Sequence, residues 1–313
     1  MLSRRILRIK ILQSLYSHFA SGRSVIDSEK ELFFSINKSF DLFFYLLQAI
    51  IDIRFFAEQK IEAARMKKIP SKEDLHPNTR FIDCKLLQQI QNNKIYVNYL
   101  KNKNISWANY PEIIKGLLAK TEKFSVYREF MEKDKPGYDD EKHLIGKILT
   151  DIIASNELVM QHLEEQSIFW NVEIEFVVSI LLKSIKKYVE SAGEEYELIS
   201  VVQNSEDMDF VSHLFRKTIS AYDNNLKLIE KYTKNWDVDR IAFIDTLVLQ
   251  MAITELVEFP FIPKKVSFNE YIDIAKIFST KNSGQFVNGV LDKIVEFLIS
   301  ENKIVKQGRG LKE

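Results

Sequence analysis

A chain of 313 residues with 46% hydrophobic and 28% charged side chains can bury one large or two modest cores, and its 44 basic residues balance 44 acidic ones. The single cysteine, Cys84, excludes an intrachain disulfide, and no cationic segment followed by an apolar run and a cleavage site is present. A soluble protein in a reducing, cytoplasmic setting is expected. Nine glycines, six prolines and no long alternation of β-branched residues argue against sheets, so the fold class is read as all-α.

The first predicted helix, Ser3–Ala20, carries Arg4, Arg5, Arg8 and Lys10, and with Arg23 these all precede Asp27, the first acidic residue. Arg4, Arg5 and Arg8 fall on one side of that helix, whereas Ile6, Ile9 and Tyr16 share another that can face a core. Cations at a helix start oppose the helix dipole, and an anionic partner resolves the conflict. Guanidinium forks beside unpaired helix N–H groups suit phosphate oxygens. The competing reading is a solvated basic face or internal ion pairing.

Helices are next predicted at Ser28–Lys67, Asp83–Leu100, Tyr110–Lys133, Asp140–Gln166 and Asn171–Ser191. Leu32–Ile53 is rich in Phe and Leu, but Lys38, Asp41 and Asp52 break it, so a buried helix is expected instead of a membrane span. Phe33, Phe34, Phe40, Phe43, Phe44, Phe55 and Phe56 are expected to build a second helical core, joined by Trp107 and Trp170. Ile69-Pro70-Ser71, His76-Pro77-Asn78 and Lys135-Pro136-Gly137 mark the breaks, and no internal repeat emerges.

In the carboxyl half, helices are predicted at Met208–Thr233, Val238–Val257, Ser267–Phe278 and Gln285–Glu301, with Phe259-Pro260-Phe261-Ile262-Pro263 as a break. Ser267 followed by Glu270 has the spacing of a capping box, and Val266 with Tyr271 that of a hydrophobic staple, so a helix start is placed at Ser267. Ser279–Gly284 forms a polar junction. Asn288-Gly289 then stands inside an apolar helix where glycine costs about 1 kcal/mol relative to alanine, which predicts close packing at Gly289. Gly308-Arg309-Gly310 is read as the start of a frayed tail.

These segments resemble the NusB family of bacterial transcription antitermination factors. Ser3-Arg4-Arg5-Ile6-Leu7-Arg8 through Ile11-Leu12-Gln13-Ser14-Leu15-Tyr16 is similar to the family's arginine-rich opening helix. Asp245–Leu256, then Ile262-Pro263, Val266, Asn269-Glu270, Ala275-Lys276 and Phe286-Val287-Asn288-Gly289-Val290-Leu291-Asp292, follow its order and approximate spacing. The resemblance covers roughly Met1–Ala20 and Asp209–Val295. It implies a NusB-like helical bundle with a further helical subdomain inserted after the first helix: a basic helix in 1–24, the insertion in 25–200, the carboxyl-terminal core in 201–302 and a flexible tail in 303–313.

The resemblance also implies recognition of boxA in ribosomal RNA transcripts together with NusE, a small-subunit ribosomal protein, within an RNA polymerase antitermination complex with other Nus factors. The RNA surface it implies comprises Arg4, Arg5, Arg8, Gln13 and Tyr16, with Lys276, Asn282, Ser283, Gln285, Phe286 and Asn288. Arginines would supply phosphate charge, Tyr16 or Phe286 a stacking face, and the amides base-edge contacts. Tyr16 and Phe286 at helical spacing also suit a core, and the Asn288 amide can satisfy neighbouring backbone. Asp245 matches the acidic position facing NusE, whereas Thr246 and Gln250 stand where the family commonly has basic residues. No membrane partner is expected, and a homodimer that hides the RNA face is the alternative to a free monomer.

An enzyme related to the ribosomal RNA cytosine methyltransferases that carry such a domain would need a Gly-rich cofactor loop and a cysteine nucleophile in a defined motif. Cys84 in Phe81-Ile82-Asp83-Cys84-Lys85 lacks that setting, and His18, His76, His143, His162 and His213 show no metal-ligand spacing. No catalytic residue, cofactor or metal is therefore expected. A helical protein-interaction scaffold without RNA binding, and an RNA-modification enzyme related to those methyltransferases but with unrecognised chemistry, are the remaining alternatives.

Overall fold

The structure, a computed structural model, describes residues 4–170, 174–196, 198, 205–233 and 242–311. No strand occurs among them. They divide into two compact units, one within 2–36 and 202–313, the other within 37–201.

The first of these, here the core unit, is organised around α13 (Phe243–Glu258), which packs on α1 (Arg4–Ser21), α11 (Ser205–Ser220), α12 (Tyr222–Thr233), α14 (Lys264–Phe278) and α15 (Ser283–Ser300). Leu247 to Leu256 are buried without a break, as expected of a helix that is apolar on all sides and so must be enclosed. In α1, Ile6 to Leu12 are buried in succession, and the cations Arg8 and Lys10 lie within that run. The opening helix thus packs against helices some 200 residues later in the sequence.

The start of α14 corrects the capping-box expectation. Pro263 occupies the cap position with φ −59°, and the Ser267 N–H already donates to the Pro263 carbonyl at 3.2 Å. Proline's fixed φ favours this start, and the helix has closed its first turn before Ser267. Val266 is correspondingly exposed and forms no staple with the buried Tyr271. The close packing expected at Gly289 is also absent, since a Cβ there would meet nothing within 4 Å.

Residues 303–311 are held and not frayed. The Lys303 N–H donates to Leu298 O at 2.8 Å, Gln307 N–H to Pro260 O at 3.0 Å and Lys306 Nζ to Phe259 O at 3.1 Å. Gly310 is buried so close to the α13–α14 turn that a Cβ would stand 1.9 Å from Pro260 O.

The second unit takes α2 (Val25–Arg65) from residue 37 onward and continues through α3 (Lys72–Leu75), α4 (Lys85–Gln91), α5 (Lys94–Lys103), α6 (Pro111–Lys123), α7 (Ser125–Glu132), α8 (Tyr138–Lys147), a π-helical turn at Ile148–Ile153, α9 (Glu157–Gln166) and α10 (Ile174–Lys187). Three of the helices predicted within this unit are interrupted, as Met208–Thr233 of the core unit is between α11 and α12. Asn93 caps α5 by accepting from Ile95 and Tyr96 N–H, extended Phe124 separates α6 from α7, and Asn156 caps α9 by accepting from Leu158 N–H. Phe40, Phe43, Phe44, Trp107 and Trp170 are buried as expected, whereas Phe34 and Phe55 are exposed. The rings of Tyr45 and Trp107 stack at 4.2 Å, and Tyr45 OH meets His162 Nε2 at 2.6 Å. Predicted helix starts at Asn171 and Val238 fall outside the described residues.

Candidate nucleic-acid interface

The three arginines of α1 have different surroundings. Arg8 is 2% exposed, and its Nε and Nη2 each donate to the Glu255 carboxylate at 2.7 Å. Ser267 Oγ at 2.7 Å and Tyr271 OH at 2.9 Å donate to the same carboxylate. Burial pulls the Arg8 pKa down, but the bonds and charge of Glu255 outweigh it and hold the guanidinium above its ordinary value. Burial and Glu255 together push the Tyr271 hydroxyl well up, so it stays a donor. Arg8 therefore ties α1 to α13 and α14, which corrects its assignment as a phosphate contact.

Arg5, a third exposed, donates through Nε and Nη2 to Glu270 at 2.8 and 3.0 Å, and through Nη2 to Asp273 at 3.1 Å. The hydrogen bond to Glu270 is the main reason its pKa is raised. Lys276 Nζ donates to the other oxygen of Asp273 at 3.3 Å. One carboxylate thus joins the amino-terminal arginines to the carboxyl-terminal residues, although Arg5 and Lys276 stand 271 positions apart in the sequence. Arg4 is more open. It meets Asp207 at 3.4 Å, and its guanidinium lies 5.0 Å from the centre of the Phe210 ring. Gln13 is half-buried, while Tyr16 is exposed with its ring 5.7 Å from Phe243.

At the α14–α15 junction, Asn282 and Gln285 are exposed, but Ser283 and Phe286 are buried. Ser283 Oγ donates to Asp245 Oδ2 at 2.7 Å and accepts the Thr280 N–H at 3.0 Å. Ser283 and Asp245 therefore brace the junction against α13, and the buried Phe286 ring offers no platform to a base. Asp245 is 4% exposed, and its other oxygen has no partner among the described residues. Burial places Asp245 inside the helix packing, away from the partner-contact role that the resemblance implied for it. Gln250 is wholly buried and donates to Tyr222 O at 3.0 Å, which places it in the helix packing and not on a charged face. A Cβ on Gly284 would stand 2.8 Å from Lys276 Cγ, so the glycine lets the lysine stem cross the start of α15. Asn288 is exposed and lines a groove with α14 and the carboxyl-terminal residues.

Residues 172–296 match the NusB family. A transcription antitermination protein NusB from Thermodesulfovibrio yellowstonii is 37% identical over 125 residues, which cover 40% of this chain and 78% of that protein. The chain belongs to the NusB family. NusB from Salinibacter ruber is 48% identical over 103 residues, 33% of this chain and 64% of that protein, and NusB from Chloroherpeton thalassium is 37% identical over 111 residues, 36% and 53% respectively. The chain thus spans less than two thirds of the length of two of these relatives. A solved structure of T. maritima NusB shares 26% identity and covers 44% of this chain and 82% of that one, with a TM-score of 0.29.

The NusB match begins upstream of Asp209, where the sequence resemblance was placed, and takes in α10. That helix buries Val177, Val178, Leu181 and Ile185, a pattern that signals amphipathicity but names no family. Sequence reasoning missed Asp273 altogether, since an acidic residue on a helix surface carries no signal of its own. It assigned Ser267 to a cap when the residue is a donor to Glu255.

Proposed function

We propose that this NusB-family chain is an RNA-binding transcription antitermination factor that recognises boxA of ribosomal RNA transcripts together with NusE, in a complex with RNA polymerase and other Nus factors. Its matched relatives are named transcription antitermination proteins. The observation that carries the reading is the meeting of Arg5 and Lys276 on Asp273, with Arg4 on the same helix.

In this reading Arg4, Arg5 and Lys276 meet phosphates, exchanging carboxylate partners for the RNA backbone. Tyr16 is the stacking face, and Gln13, Asn282 and Gln285 are the amides available to base edges. Arg8, Ser283 and Phe286 hold the helices that present them. Glu270 links the two sets, since it binds Arg5 and lies 4.0 Å from Arg8 Nη1.

The test is binding of a boxA RNA and a scrambled RNA of equal length to the full chain, with and without NusE. We expect preference for boxA, strengthened by NusE, and a loss of about tenfold or more in Arg4→Ala/Arg5→Ala/Lys276→Ala from the removal of three phosphate contacts. Equal affinity for both RNAs with NusE present, or an unchanged triple variant, would contradict it.

A further inference from the structure

A second site lies in the core unit beside the proposed RNA surface. It is a groove of about 580 Å³ between α14, α15 and the returning carboxyl-terminal residues. Ile272 and Phe268 on α14, Ile299 on α15, and Ile304 and Leu311 beyond it supply its apolar lining, with Ile299 and Leu311 well exposed. Lys264, Lys265 and Lys306 also line it, against one acidic residue, Asp292.

Lys264 and Lys265 are exposed and have no carboxylate partner among the described residues. Lys306 spends its ammonium on the Phe259 carbonyl, and burial lowers its pKa, with Glu255 acting in the opposite sense. Three cations around an aliphatic trough favour an occupant that is negative and apolar at once. Single-stranded RNA is a poorer fit, because stacking needs aromatic faces and Phe268 is the one ring in the lining.

We infer that this groove docks an acidic, amphipathic segment of a partner protein, with aliphatic side chains in the trough and carboxylates on Lys264 and Lys265. The groove's outer wall depends on the return of residues 303–311. Gly310 permits that return, because any side chain there would collide with Pro260 O.

The experiment is selection of a displayed library of random 16-residue peptides on the full-length chain, with counter-selection on Lys264→Glu/Lys265→Glu, followed by affinity measurement of the recovered peptides. The expected peptides combine Asp or Glu with aliphatic residues three or four apart, and bind the double variant at least about tenfold more weakly, because two attractive charge contacts become repulsive. Asp292→Asn is expected to tighten binding about two- to threefold by removing the opposing charge. Gly310→Ala, which leaves every charge in place, is expected to weaken it about fivefold by displacing the wall. Circular dichroism checks that each variant is folded, and the salt slope of boxA RNA binding is expected to be the same for Lys264→Gln/Lys265→Gln as for the wild type, because no phosphate contact is lost. Three results would overturn the inference: no peptide surviving counter-selection, recovered peptides without acidic residues, or a shallower salt slope for RNA in Lys264→Gln/Lys265→Gln, which would make the groove a nucleic-acid track.

Discussion

The two units bury polar groups in different ways. In the core unit the deepest polar contact is ionic: Arg8 and Glu255, 247 residues apart, form a two-pronged pair completed by Ser267 and Tyr271. In the second unit the contacts that join Tyr45, Trp107 and His162 are neutral, although Tyr99 OH, nearby in sequence to Trp107, donates to the ion-paired Asp41 at 2.8 Å. Tyr45 meets His162, and Trp107 Nε1 donates to Tyr45 O at 2.9 Å. Asp52 there accepts from Gln48 Nε2 at 2.7 Å and has no ion pair among the described residues. Burial pushes its carboxyl up to about 6, with the Gln48 bond opposing. An ion pair demands a fixed geometry and fails badly when one member is lost, whereas a neutral aromatic interior tolerates change more evenly. The unit with the proposed RNA surface thus has its opening helix registered by charge.

The largest expected effect tests that registration. Arg8→Ala leaves Glu255 buried without its cation and is expected to destabilise the core unit by about 3–5 kcal/mol, read by denaturant-dependent hydrogen exchange in α1, α13 and α14. The second unit should be nearly unaffected. A loss below about 1 kcal/mol would show that the pair is not the registering element.

The second unit supplies the converse case. Because the folded-state pKa of Asp52 is raised, ionisation costs stability: the penalty is absent below about pH 4, grows between pH 4 and 6, and is constant above. Asp52→Asn should therefore stabilise this unit by on the order of 1–3 kcal/mol at pH 8, with the gain disappearing near pH 4. Thermal melts across that range check it, and a gain independent of pH would point to packing instead of charge.

Smaller effects sharpen the junction. Ser283→Ala removes the one described donor to Asp245 and is expected to cost about 1–2 kcal/mol. Gly289→Ala has open space and should stabilise α15 by up to about 1 kcal/mol, while Gly284→Ala should displace Lys276.

Helical class and most long helices were legible because periodicity and prolines are local signals. The interruptions at Asn93 and Asn156 fit the preference for asparagine at caps, but Phe124 offers no comparable cue. The Ser267–Glu270 spacing misled because a short motif cannot tell a cap from a helix interior already started at Pro263. Arg5 and Arg8 read alike in sequence, and only tertiary partners separate them: Glu255 encloses one, while the other shares Asp273 with Lys276. The proposed surface was thus recognisable in outline through the family resemblance, and its division into presenting and presented residues was not.

The central claim, that Arg4, Arg5 and Lys276 act together on RNA while Arg8 acts within the fold, is tested most directly by the salt dependence of boxA RNA binding. Three phosphate contacts predict a slope of log affinity on log salt of about −2 for the wild type, from roughly −0.7 per contact on a single strand. Arg4→Ala/Arg5→Ala/Lys276→Ala should bring the slope close to zero. A slope that stays near −2 in this variant would contradict the account.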